Sequence, residues 1–446
     1  MTSTAPTRPS AGPAASASRA LPPGPRLPVA VQTVLFGSFR QFLLPLARRR
    51  YGDVVRLRIY PERDVVSLSD PEHIKAVFTG PATTFHAGEG NAILKPLMGE
   101  HSVLLTDEDQ HMRARKLLMP AFNGSALRGY REMVTELTVA EVERWPTGRI
   151  FRSHERMQVL TLEVILRVVF GVTDGPRLDR LRVLLRRLLD IGPLDIFGWH
   201  NPNLQKAGPW KRNAQRQREI DELIYAEIAD RRRAGDLADR GDVLSRLLTV
   251  PGDDPLTDAE LRDQLITLLL AGHETTATTL GWAFHELARD PASLRSATEA
   301  ADNNDEKYLE AVTKEAMRLH PVIHEVARRL TEDTEVGGYV LPAGFTVQPS
   351  IALVQSDPEH YPEPERFSPE RFVDGNPPAG TWFPFGGGVR RCLGAGFSLM
   401  EANVVLREVL RRYHLSPERR SAEKPKARHI TMVPARGAKI LVTERN

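Results

Sequence analysis

The chain has one cysteine in 446 residues, Cys392. It can close no intrachain disulfide and build no zinc or iron–sulfur site that needs several thiolates. No stretch of about 20 predominantly apolar residues is evident, the length a membrane span requires. Leu27–Phe36 is apolar but short, and Gln32 interrupts it. No membrane span is therefore expected, and the predicted location is cytoplasmic. Residues 1–20 are rich in Ser, Thr, Ala and Pro, with Arg8 and Arg19 but no acid. They predict a disordered tail, with a transit peptide as the alternative. They lack an apolar h-region ahead of a small-residue cleavage site, which argues against a signal peptide. Zinc-finger spacing and RNA-binding aromatic motifs are also missing, so nucleic acid is not an expected partner. So is any flavin or nicotinamide fingerprint. Charge of one sign is not in excess, since the formal net charge is +3. Clusters such as Arg48-Arg49-Arg50 and Arg231-Arg232-Arg233 read mainly as solvated helix faces.

What is present is mostly helix. Leu21-Pro-Pro-Gly-Pro25 makes a stiff turn after the tail. Val54–Ile59 and Val65–Leu68 predict two short strands, and Asp70-Pro71 starts a helix ending near Phe78. Residues 80–103 are Gly-rich and irregular, and Thr106 is the expected cap of the next helix, with acids in its first turn. Leu, Arg and Glu at helical spacing dominate 125–250, except for a connection over 192–211 rich in Gly, Pro, Trp and Asn. Thr257 and Glu260 form a capping box. No proline follows until Pro291, which predicts one helix of ~50 Å at ~1.5 Å per residue. Its centre, Leu265–Ala271, is apolar almost all round, as a buried helix requires. A helix over 305–320, strands over Thr334–Tyr339 and Phe345–Pro349, a helix after Cys392 and a terminal hairpin over 429–443 complete the prediction. The expected fold class is mainly α with small β-sheets. Motifs spread along 21–446 need one shared site, so that span is taken as a single domain.

Cys392 ends the run Phe385-Gly-Gly-Gly-Val-Arg-Arg-Cys392, followed by Leu393-Gly394. Glycines let the backbone turn tightly and approach a flat group closely. Arg390 and Arg391 beside the sulfur favour thiolate over thiol. One thiolate on such a loop suits a single axial bond to a metal whose other ligands come from elsewhere, which points to haem iron. In the long helix, Ala271-Gly272-His273-Glu274-Thr275-Thr276 places polar groups where they are costly without partners or work. Gly272 would let a flat ligand lie against the backbone, and Thr275 can bond back to the Ala271 carbonyl. His273 is read as structural, not as an iron ligand.

The spacing Phe-x-x-Gly-x-Arg-x-Cys-x-Gly, from Phe385 through Gly388, Arg390 and Cys392 to Gly394, resembles the haem-binding signature of the cytochrome P450 family. The resemblance implies that family's single-domain fold, haem b (heme b, iron protoporphyrin IX) as cofactor and Cys392 as iron ligand. Ala271-Gly272-His273-Glu274-Thr275 is similar to the family's oxygen-activation segment, which implies proton delivery by Thr275 and Glu274. His111 and Arg115 match the propionate-binding His-x-x-x-Arg, with Arg113 and Lys116 nearby as possible confusions. Arg328 matches a further propionate arginine, and Arg390 is another candidate. Glu315-Ala-Met-Arg318 resembles the structural Glu-x-x-Arg pair, completed by Arg371, with Arg366 as runner-up.

The implied reaction inserts one oxygen atom of O2 into an apolar small molecule and reduces the other to water. Electrons would come from a ferredoxin or flavodoxin with its NAD(P)H-dependent reductase, docking near Arg390, Arg391 and Arg411. Candidate substrate-lining segments are 86–103, 192–211, Ile266–Ala271, Val322–Val326 and Met432-Val433. Rival readings are a haem-thiolate peroxygenase or isomerase, a haem gas sensor, and a helical binding protein without haem.

Overall fold

The computed structural model describes residues 20–445 apart from 62, 172–174, 189–202, 204, 205, 207, 251–254, 374–376 and 429. In chain order the longer helices are α1 (Val29–Tyr51), α2 (Pro71–Thr79), α3 (Glu108–Leu118), α4 (Gly124–Val142), α5 (Ser153–Phe170), α6 (Pro176–Leu188), α7 (Gly208–Arg233), α8 (Asp258–Arg289), α9 (Pro291–Asn303), α10 (Glu306–Leu319) and α11 (Ala395–Arg412). The strands are β1 (Val54–Ile59), β2 (Arg63–Leu68), β3 (Phe85–His86), β4 (Ile150–Arg152), β5 (Arg328–Leu330), β6 (Thr334–Val336), β7 (Tyr339–Leu341), β8 (Thr346–Pro349), β9 (Tyr413–Pro417), β10 (Pro425–Arg428), β11 (Thr431–Pro434) and β12 (Lys439–Glu444). The expected tail lies, but for Ala20, outside the described residues. So does most of 192–211, whose last residues already belong to α7.

α8 is the axis. The predicted capping box is formed: Thr257 Oγ1 accepts from the Glu260 amide, and the Glu260 carboxylate accepts from the Thr257 amide. From there 32 residues run without a break. Leu265, Leu269, Ala277, Leu280 and Phe284 are buried in one large core with residues of α4, α5, α7 and α11. α5 packs along α8, and α11 lies against α4, α8, α9 and α10.

The main sheet has the order β1-β2-β8-β5-β3. β2 and β8 run parallel, with Val66 opposite Val347, while β8 and β5 run antiparallel, with Val347 opposite Arg328. One face, including Val66, Leu68 and Val347, packs with α2. The other, including Val55, Leu57 and Val65, packs under Leu44 and Ala47 of α1.

Four local expectations need correction. The N-cap of α3 is Asp107, one residue beyond Thr106, whose hydroxyl donates instead to the Ser102 carbonyl. Thr334–Tyr339 is not one strand: Gly337 and Gly338, at φ +60° and +79°, fold it into the β6–β7 hairpin. The terminal strands β11 and β12 do not pair with each other. β11 pairs with β10, and β12 lies between β4 and β9. Finally, the apolar stretch begun at Leu27–Phe36 belongs to a 23-residue helix, α1, which is long and apolar enough to cross a membrane by length and composition. Gln32 and Arg40 break its pattern in the sequence, but both turn inward and are buried.

Candidate haem-binding site

The cysteine loop is shaped by a close approach. A Cβ on Gly388 would lie 1.9 Å from the Phe78 carbonyl oxygen, and one on Gly387 would lie 2.7 Å from the Phe78 ring. Gly386 and Gly388 also take φ of +65° and +61°, which side chains resist. The loop thus closes on the end of α2, and the Cys392 amide donates to the Phe385 carbonyl at 2.9 Å. Gly394 caps α11, and its amide hydrogen-bonds the sulfur.

Cys392 is an exposed residue, yet protein surrounds its thiol on most sides. Both statements hold if it faces a recess inside the fold. Ala271 supports this, being exposed in the middle of an otherwise buried helix. Burial pushes the thiol above its ordinary value, while the Gly394 amide, Arg115 and Arg391 pull the other way. Burial prevails, which corrects the expectation that neighbouring arginines alone favour thiolate. A cation bound to the sulfur would supply the missing stabilisation.

His111, Arg115, Arg328 and Arg390 lie near one another, and Arg115 acts on the Cys392 thiol as well. His111 is held down to about 4, by burial first and then by Arg390 and Arg115, with Arg328 adding to the effect. It is therefore a neutral ring among three guanidiniums. Arg328 and Arg390 are each lowered to about 10, chiefly by burial. The carboxylate common to their surroundings is Asp107, which accepts from Arg390 Nη2 and from the amides of Gly88 and Glu89. Three arginines against one aspartate leave two positive charges uncompensated. A ligand carrying two carboxylates, such as haem, fits that balance. Arg113 and Arg329 belong elsewhere: Arg113 pairs with Glu260 at 2.6 Å, and Arg329 lies 3.7 Å from Glu89.

On α8, Thr275 Oγ1 donates to the Ala271 carbonyl at 2.7 Å, as expected. Glu274 is buried beside it, accepting from Gln158 Nε2 at 2.6 Å and from Arg428 Nη1 at 3.3 Å. Gly272 departs from expectation. A Cβ there would lie 2.9 Å from Ile165 Cδ1, so the missing side chain admits α5 and not a ligand. His273 is buried among protein groups.

The loop is braced from α10. Arg318 donates through Nε and Nη2 to both Glu315 oxygens, at 2.7 and 2.8 Å, with both side chains fully buried. Arg371, and not Arg366, comes within 3.5 Å of Glu315. Arg366 contributes its carbonyl, which accepts from Arg318. Arg318 Nη1 donates to the Gln355 carbonyl, and Gln355 Oε1 accepts from the Phe383 amide. The Phe383 carbonyl then accepts from Gly386 in the cysteine loop.

The sequence profile of the cytochrome P450 family matches residues 22–442. The chain belongs to the cytochrome P450 family. It is 49% identical over 429 residues to "Putative cytochrome P450 135A1" of Mycobacterium tuberculosis, covering 95% of this chain and 96% of that one. It is 46% identical over 435 residues to "Putative cytochrome P450 135B1" of Mycobacterium bovis, covering 96% and 92%. Its fold is similar to that of retinoic acid bound cyanobacterial CYP120A1, at TM-score 0.84 and 23% identity, over 96% of this chain and 100% of that one. The fold is the P450 fold, mainly α with small sheets, and membership makes the protein a haem-thiolate monooxygenase with haem b as cofactor.

Sequence reasoning missed Asp107, Gln355 and Phe78. Asp107 looked like an ordinary first-turn acid, and no local signal shows that it reaches Gly88 and Arg390. Gln355 and Phe78 act through long-range backbone contacts that no spacing rule carries. Arg390 also corrects the docking reading, because its guanidinium turns inward to the carbonyls of Val103 and Thr106. Arg411 is likewise tied to the Ala301 carbonyl and Asn304. Of the three, Arg391 is the exposed one.

Proposed function

We propose that this monooxygenase oxidises an apolar small molecule, that Cys392 is its iron ligand, and that Thr275 and Glu274 handle the protons. The reading is supported by the proximity of Cys392, Arg115, His111, Arg390 and Arg328, with α8 tied to the helix after the cysteine through Thr276 and Ser398 at 3.2 Å. When bound, haem supplies the activation of dioxygen. Cys392 would hold its iron, and the Gly394 amide would moderate the electron density on the sulfur. Arg115, Arg328 and Arg390 would hold its two carboxylates, and neutral His111 would offer a ring N–H without adding charge. Phe385 and Gly388 set the loop's shape through the Phe385 carbonyl and the Phe78 contact.

Thr275 holds its hydroxyl proton toward the Ala271 carbonyl and can turn it into the recess. Glu274, buried beside it, carries the next proton, with Arg428 and Gln158 fixing its carboxylate. Ala271 gives the recess an apolar wall, and Gly272 seats α8 against α5. The segments Val322–Val326 and Met432-Val433 are joined by the Met432 amide donating to the Val322 carbonyl at 2.8 Å. Their apolar side chains favour an apolar substrate. Residues 21–446 are read as one catalytic domain in the cytoplasm. A ferredoxin or flavodoxin with its reductase supplies electrons, with exposed Arg391 on the docking side.

The test is Thr275→Ala. Removing a positioned proton donor costs on the order of 10²-fold in such steps. The variant should keep its haem and consume reductant, but turn much of it into peroxide in place of product. Unchanged product per electron would remove Thr275 from proton delivery.

A further inference from the structure

A cleft of about 640 Å³ opens between the first three turns of α4, the end of α5 and the turn into the short helix Val243–Leu248. None of the described residues lining it belongs to the Cys392 loop or to the Ala271–Thr275 segment. Two of the lining residues, Gly129 and Gly241, are glycines that neither packing nor backbone requires. Neither takes a left-handed φ, and a Cβ on either would meet nothing within 4 Å. Gly129 stands inside α4, where glycine is unfavourable relative to alanine. What the two absent side chains do is keep the cleft clear.

The cleft also carries positive charge. Arg167 of α5 and Arg246 both line it. Arg167 reaches only Glu136, at 3.9 Å, whose side chain is 66% exposed, and its Nε is buried without a hydrogen-bond partner among the described residues. Arg246 donates from Nε to the Gly241 carbonyl at 2.9 Å and pairs with no carboxylate among the described residues. The carboxylate in the lining, Asp242, is already committed: both its oxygens accept from Arg231 Nη1 at 2.9 Å, and the Ser245 hydroxyl donates to it too. The Tyr130 hydroxyl is buried without a partner, close to Arg246 and Asp242. At the start of α4 the Asn123 side chain caps the Ala126 amide, no acid occupies the first turn, and Ser125 lines the cleft. That helix end adds its own preference for an anion.

We propose that this cleft binds a small molecule carrying a phosphate monoester, at a site separate from the haem recess. Guanidiniums from two different elements take separate oxygens of one dianion, and the Ser125 and Tyr130 hydroxyls are further donors. A bare phosphate would leave most of the volume unused. The Tyr130 ring, Met133 and the open space over Gly129 receive the organic body of the ester. Tyr130 also connects the cleft to the helix that follows the cysteine. Its ring meets Phe397 of α11 edge-on at 5.9 Å, and a Cβ on Gly396 would lie 3.1 Å from Leu127 Cδ1. A bound ester therefore rests on the contact between α4 and α11, and occupancy raises the thermal midpoint of the fold.

The experiment is calorimetric titration of the full-length holoprotein with phenyl phosphate and with inorganic phosphate. Phenyl phosphate should bind once per chain, more tightly than inorganic phosphate, and should raise the thermal midpoint. Arg167→Gln and Arg246→Gln should each weaken it about ten- to a hundred-fold, and Tyr130→Phe about three- to ten-fold. Gly129→Leu improves helix propensity while filling the cleft, so it should abolish binding in a protein at least as stable as wild type. Each variant should keep the wild-type carbon monoxide spectrum as its control for folding, and Gly129→Leu decides the matter if an arginine variant does not. The absence of saturable phenyl phosphate binding, or binding by Gly129→Leu equal to wild type, would overturn the proposal. So would binding that moves the Soret band and survives Gly129→Leu, since the ligand would then sit in the haem recess.

Discussion

His285 shows what burial does to a single titrating group. Its Nε2 accepts from the Glu423 amide at 3.0 Å, which requires a neutral ring. Burial holds it down to about 4 from an ordinary 6.5, with Glu286 opposing and Arg289 assisting. Between those values the unfolded chain binds a proton that the folded chain refuses. The ring's contribution to stability is therefore complete above about pH 6.5 and is lost as pH falls toward 4. At ~1.4 kcal/mol per unit it amounts to at most about 3.5 kcal/mol. His285→Gln keeps an acceptor and cannot titrate, so it should lose less stability than wild type between pH 7 and 4.5 in urea unfolding. Parallel losses would contradict this account of His285. Such residue-level facts were mostly hidden in the sequence. Thr275 and its Ala271 partner were visible because an i, i−4 bond is local. Arg390 was read from the motif as a cofactor residue, but its inward turn depends on Val103 and Thr106, far away along the chain.

At the scale of elements, the two glycine positions beside the site do different work, and substitution separates them. Gly388→Ala would strain a positive φ and drive a methyl into the Phe78 backbone, which cannot yield. The expected cost is about 2–4 kcal/mol, with loss of haem retention. Gly272→Ala meets only the far end of the Ile165 side chain. It should cost about 1–2 kcal/mol in thermal unfolding and leave the carbon monoxide spectrum unchanged. A Gly272→Ala spectrum that shifted while stability held would return Gly272 to the ligand side. Elements with local signals were readable: the Thr257 capping box, the Asp70-Pro71 start and the apolar core of α8. The terminal sheets were not, because β12 finds its partners at Ile150–Arg152 and Tyr413–Pro417, and alternation within one strand does not reveal its neighbour. The β6–β7 turn had a readable signal in Gly337-Gly338, which was passed over.

Across the whole molecule, the site depends on a brace that starts far from it. Glu315, Arg318 and Gln355 lead by hydrogen bonds to Phe383 and on to Gly386. Breaking a fully buried ion pair costs about 3–5 kcal/mol, because the remaining charge is left uncompensated. Arg318→Met should lower the urea midpoint accordingly, and adding Glu315→Gln should restore part of the loss. A loss below about 1 kcal/mol would refute the brace. The order of motifs along the chain made the family readable, and with it the fold and cofactor. The balance of three arginines against Asp107 was not readable, since it exists only once α3, β5 and the cysteine loop converge. We propose that Cys392 is the thiolate ligand of a bound haem. The most direct measurement is the Soret band of the reduced carbon monoxide complex, taken for wild type and for Cys392→Ser. Wild type should show the strongly red-shifted band of a thiolate opposite carbon monoxide, and Cys392→Ser should lose it. A wild-type protein that takes up no haem on reconstitution, or a red-shifted band that survives in Cys392→Ser, would contradict the account.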